Sequence, residues 1–158
     1  DIAKEMQVAQ GLFYRYFPSK EILFETAIEQ YARKQVAQMT SILDTSHKTL
    51  LQIVEQMPTF IEAEQEDSYM KKIFHGAGSQ EIHMRLSMSI CSKMQPIVEQ
   101  LLQDANERGE TQISDPEAAA SFCVYGQLGI LLDQSIPREE RVRRIKKFLT
   151  EVLRKFQK

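Results

Sequence analysis

Residues Asp1–Lys20 read DIAKEMQVAQGLFYRYFPSK, and their spacing predicts a helix, a tight turn and a second short helix. In Asp1–Gln7 the apolar Ile2, Ala3 and Met6 fall on one helical face, while Lys4, Glu5 and Gln7 point elsewhere. Val8 plugs the turn. From Gln10 onward, Phe13 and Phe17 lie four apart, so both rings share one side and pack on the first helix. Gln10, Gly11, Tyr14 and Arg15 are left facing outward. Such a face suits DNA: Arg and Gln make paired hydrogen bonds to base edges, and Tyr reaches phosphate or a thymine methyl. Gly11 lets the backbone come close to a groove. The same spacing fits a plain helical hairpin with a polar outer face, and spacing alone leaves both readings open.

The ordered series Asp1-Ile2-Ala3, Val8, Gly11 and then Tyr14-Arg15-Tyr16-Phe17-Pro18-Ser19-Lys20 resembles the helix-turn-helix of the TetR family of bacterial transcriptional regulators. The resemblance implies that Gln10, Gly11, Leu12, Tyr14 and Arg15 face the major groove of double-stranded DNA. It also implies that Tyr16 and Lys20 lie on the phosphate backbone, with Phe13 and Phe17 in a small core. The sequence departs from the family at Gln7, where Gly is usual in the turn, at Ala9, where a hydroxyl residue is frequent, and at Leu12, where Thr is frequent. Two candidate hydroxyl contacts are thereby absent, which bears on the operator sequence. The family also has a helix before this motif, so the resemblance implies a preceding helix that the sequence does not contain.

The bulk of the chain fits this beginning. With 158 residues, 42% hydrophobic and 27% charged, it has the composition of a soluble globular protein able to bury a real core. No apolar run is long enough to cross a bilayer, and no membrane partner is expected. Cys91 and Cys123 lie in apolar helical patterns and read as reduced core residues of a cytoplasmic protein. The net charge of -2 conceals an asymmetry: residues 1–35 are balanced, residues 36–137 carry six basic and fourteen acidic side chains, and residues 138–158 carry nine basic and three acidic. The DNA end is therefore not basic by its own composition. Because affinity for DNA rests largely on phosphate neutralisation, a second subunit and the preceding helix are expected to add positive charge.

The remaining pattern is helical throughout, with few, well-spaced breakers. Ser19 caps a long helix to about Leu43. A second runs from about Lys48 to Glu66 with Pro58 inside it as a kink. Ser79 opens a third, bent at Pro96 and stopped by Gly109. Asp115 and Pro116 start a fourth, and Pro137 the last. The fold class expected is all-α: a helix-turn-helix DNA-binding unit over residues 1–35, joined by a long helix to a helical effector-binding and dimerisation domain over 36–158.

No enzyme constellation is present: there is no Walker loop, dinucleotide fingerprint, zinc spacing or nucleophile elbow. His83 and Cys91 are eight apart on one helix, too far to share an ion as ligands one turn apart, and neither cofactor nor metal is expected. In the resembled family an effector cavity lies among the helices that here carry Met57, Phe60, Ile61, Tyr69, Phe74, Met84, Met88, Phe122 and Tyr125. Pliable Met and flat aromatic walls would suit a small hydrophobic or aromatic molecule, although the same stripe serves equally as plain core. The last two helices carry Ala118, Phe122, Gly129 and Leu132 on one and Val142, Ile145, Leu149, Val152 and Phe156 on the other, at spacings of three and four. That seam fits a four-helix interface between two copies, the homodimer that a palindromic site requires. The sequence thus points to a ligand-responsive repressor. The alternative is a helical small-molecule or protein-binding module whose DNA binding is lost or partner-dependent.

Overall fold

The computed structural model describes residues 10–41, 43, 47–59, 62 and 79–157, with the backbone alone for Gln10, Gly11 and Phe13. Seven helices follow one another among these residues: α1 Gln10–Tyr16, α2 Lys20–Thr40, α3 Leu50–Gln56, α4 Gln80–Glu107, α5 Pro116–Tyr125, α6 Leu128–Leu131 and α7 Arg138–Arg154. The described residues contain no strand, and the protein is all-α. A single antiparallel bridge joins Thr111 to Gln157 beside the end of α7.

Local chemistry sets most helix ends. Ser19 stands in extended backbone and its hydroxyl accepts from the Ile22 N–H at 3.2 Å, starting α2. Thr49 and Gln52 form a reciprocal capping box on α3. The Asp115 carboxylate accepts from the Ala118 N–H at 2.9 Å, with Pro116 in the first turn of α5. Gly109, at φ 74°, turns the chain after α4.

Three boundaries differ from expectation. The lever helix α2 ends at Thr40, three residues before Leu43. Helix α3 ends at Gln56, so Pro58 lies beyond a helix rather than kinking one. Met57 is extended at ψ 124°, as the residue before a proline prefers. The segment opened by Asp115 is two helices, broken at Gly126-Gln127, where two glycines within four residues each cost about 1 kcal/mol of helix propensity. Pro96, in contrast, sits inside an unbroken α4. Met94 before it and Leu101 and Leu102 after it are buried, so both halves of the helix are anchored in the core.

Helix α4, 28 residues and so about 42 Å long, is the axis of the molecule. Its first half packs with Ile28, Ala32, Val36 and Met39 of α2, Val124 of α5, Leu131 of α6 and Ile145 of α7. Its second half packs with Leu50 and Ile53 of α3, Ile113, Ala120 of α5 and Leu153 of α7. Both cores thus hang on one helix. Below them Asn106 ties the turn after α4: its amide donates to the Ile113 carbonyl at 2.8 Å, and its oxygen accepts from the Thr111 hydroxyl and the Ile113 N–H. Glu110 reaches across to accept the Leu50 N–H at 2.8 Å, fastening the start of α3 to the end of α4.

Candidate nucleic-acid interface and internal cavity

Helix α1 is two turns long and joins the capped start of α2 through Phe17-Pro18-Ser19. Leu12, Tyr14, Arg15, Tyr16 and Lys20 are all exposed, Tyr16 most at 68%. At roughly 100° per residue, Leu12, Arg15 and Tyr16 share one face of α1, whereas Tyr14 lies on another. Backbone positions 10 and 11 open α1, but their side chains are outside the described residues, as are Gln7 and Ala9.

Helix α2 is continuous through residues 35 and 36, so the two units expected from the sequence share one rigid element. An ionic seam binds it to α4. Glu29 accepts from Lys93 at 2.6 Å, from the Ser89 hydroxyl at 3.1 Å and from Arg33 on its own helix at 3.2 Å. These donors, Lys93 foremost, hold its carboxyl below the usual range. One turn and two turns earlier, Arg85 grips Glu25 and Glu81 and lies 6.0 Å over the Phe24 ring. The seam thus joins α4 to the helix that carries α1.

Behind that seam a partly open cavity of about 110 Å³ lies among α2, α3, α4, α5, α6 and α7. Met39, Leu50, Val54, Met57, Ile90, Met94 and Val98 form apolar walls, with the Cys91 and Cys123 thiols, the Gln127 amide, Thr59 and Lys146 among them. Burial pushes the Cys91 thiol up to about 11 and raises that of Cys123, so both are neutral at physiological pH.

Of the residues expected around an effector, Met57 lines this cavity, and Tyr125 is half-buried against the core beside it. Met84 and Met88 stand 44% and 45% exposed, because they lie on the side of α4 opposite the buried Leu86 and Ile90. Phe122 is 82% exposed and belongs to the outer surface. Phe60, Ile61, Tyr69 and Phe74 lie outside the described residues. Sequence reasoning did not find Met39, Ile90, Cys91, Gln127 or Lys146 as lining residues. Their helical spacing is that of ordinary core, and Lys146 lies in a charge run.

On the outside, α5, α6 and α7 border a second hollow of about 320 Å³ lined by Phe122, Gly126, Ile130, Phe148 and Val152. Phe148 is 62% exposed beside Phe122. Of the residues expected at an interface, Ala118, Phe122, Gly129 and Phe156 are exposed, while Leu132, Val142, Leu149 and Val152 are half-buried. Ile145 is fully buried within the chain's own core. No group of His, Cys, Asp or Glu that could hold a metal occurs among the described residues, and none of their helices is long and apolar enough to cross a membrane.

A short exposed helix continues into a long helix that is held by ion pairs against a helical bundle with a hollow among its helices, an all-helical architecture. Residues 1–27 match the family of bacterial regulatory proteins known as the tetR family. Over 75 residues the chain is 27% identical to the nucleoid occlusion factor SlmA of Haemophilus influenzae strain PittGG, and equally so to that of strain ATCC 51907 / DSM 11121 / KW20 / Rd. Each alignment covers 48% of this chain and 34% of the relative, so the chain matches about a third of the length of these curated proteins. No solved structure gives a significant match. The chain is thus similar to regulatory proteins of the TetR family, with the family match confined to its first 27 residues.

Proposed function

We propose that this protein is a cytoplasmic, ligand-responsive repressor that binds a palindromic operator as a homodimer. The observation that carries the reading is that the family match over residues 1–27 runs through α1, whose Leu12, Arg15 and Tyr16 stand exposed on one face. Arg15 would read a base edge or phosphate, Lys20 would neutralise phosphate at the start of α2, and Gln10, Gly11 and Tyr14 complete the contact surface. Likeness to proteins named for the nucleoid adds support for DNA as the partner. The exposed Phe122 and Phe148 support a second copy as the covering of α5 and α7. The 110 Å³ cavity supports a small hydrophobic or aromatic effector.

The mechanism follows from the shared lever. A ligand that binds one setting of α4 more tightly than another shifts the balance between them, and it acts only through that difference. The seam at Glu29 and Arg85 carries the shift to α2, and α1 moves relative to its copy until the two no longer fit successive major grooves.

Selection from random duplex DNA at two salt concentrations tests the reading. Recovery of a palindrome with a steep salt slope is expected. Arg15→Ala and Tyr14→Ala should each weaken binding to it at fixed salt, by about 1–3 kcal/mol where a base contact is lost. Enrichment of no sequence, with and without small aromatic ligands, would favour a binding module that does not address DNA.

A further inference from the structure

The cavity is walled mostly by carbon and sulfur, apart from the Gln127 amide and the edge where α7 meets the segment after α3. Among the described lining residues Lys146 alone carries a charge. Its Nζ lies 3.2 Å from Glu62 Oε1 and 3.1 Å from Oε2. The same carboxylate accepts the Thr59 N–H at 2.8 Å and the Thr59 hydroxyl at 3.0 Å, and Thr59 is itself buried in the cavity wall. A carboxylate of the chain is thus already seated on a cation and a hydroxyl donor at the edge of an apolar hollow.

We infer that the cavity takes a compact apolar monoanion, an aromatic or short-chain carboxylate. Its hydrocarbon part lies among Met39, Ile90, Met94 and Val98, and its carboxylate replaces Glu62 on Lys146. The inference rests on the cavity being the effector site. Three observations select this ligand class. A cationic ligand would meet the like charge of Lys146 at the cavity edge and be repelled by it. A carboxylate ligand exchanges one ion pair for another, and Glu62, more than a third exposed and still bonded to Thr59, keeps both a partner and water after it leaves Lys146. The size fits as well, since a hollow on the order of 100–150 Å³ lined by apolar groups admits a single ring.

The test is calorimetric titration of the protein with benzoate, hexanoate, benzamide and toluene at one neutral pH. Benzoate is expected to bind about tenfold or more tighter than benzamide, the range of a charge-assisted hydrogen bond over a neutral one. Glu62→Gln, which removes the competing charge, should tighten benzoate severalfold. Lys146→Met should abolish the preference for the anion while toluene still binds, and Lys146→Arg should keep it. Equal binding of benzoate and benzamide by the unaltered protein would overturn the anion inference and leave the cavity as the effector site. Binding of none of the four would overturn both.

Discussion

Ser87 stands in the middle of α4 with its hydroxyl buried and without a hydrogen-bond partner. A hydroxyl taken out of water with nothing to bond costs about 1–3 kcal/mol, whereas the alanine that would replace it is the best helix former. Ser87→Ala is therefore expected to raise stability by about 1 kcal/mol, read as a higher urea midpoint with an unchanged slope. Asn106 shows the opposite case: every hydrogen bond its side chain makes holds the turn between α4 and α5, so this half-buried polar group supports the fold instead of taxing it. No spacing rule separates these two residues in the sequence. Whether a buried oxygen finds a donor depends on which distant segment folds against it. The same holds for Lys146, one of nine bases in the last 21 residues, whose place at the cavity comes only with the packing of α7.

Helices α2 and α4 are joined by groups that recur every four residues: Glu25, Glu29 and Arg33 on one, Glu81, Arg85, Ser89 and Lys93 on the other. The periodicity is visible in the sequence, but nothing in it pairs these two rows. The pairing has a pH signature. The folded Glu29 carboxyl is held below its unfolded value of about 4.5, chiefly by Lys93, so its stabilising contribution is complete above that pH and is lost as pH falls below it. Glu29→Gln should be less stable than the unaltered protein at pH 7, by under about 1 kcal/mol because the side chain is partly exposed, and the difference should shrink progressively as pH falls below 4.5. Urea unfolding across that range measures it; a difference that persists in acid would place the cost of the substitution elsewhere. In the proposed mechanism the same change should also weaken the response of DNA binding to ligand. Helix ends, in contrast, were largely legible: Ser19, Gly109 and Asp115 mark theirs through chemistry within three residues.

For the molecule as a whole, the two cores account for the large apolar side chains of α4 other than Met84 and Met88, yet Phe122 and Phe148 remain outside both. Burying one such ring is worth about 1.5–3 kcal/mol, which gives a second copy reason to settle there. The double substitution Phe122→Glu with Phe148→Glu is expected to convert the proposed dimer to a monomer in sedimentation velocity with helical circular dichroism unchanged, since neither ring belongs to the chain's own cores. Operator affinity should fall with it, because the two half-sites would no longer be bound as one unit. A dimer that survived the substitution would place the interface on another face.

The all-helical class, the tetR-family segment and the capped starts of α2 and α5 could be read from the order of residues, because each depends on neighbours within one or two turns. The limits of α3 and the break at Gly126-Gln127 were misjudged where proline and glycine act on the backbone more strongly than an apolar repeat does. Which apolar stripe turns inward was settled by packing alone. On α4, Leu86 and Ile90 are buried while Met84 and Met88, equally apolar and equally periodic, face out. The cavity belongs to that second kind of knowledge. It is a gap between six helices, and a gap has no residues of its own until those helices have met.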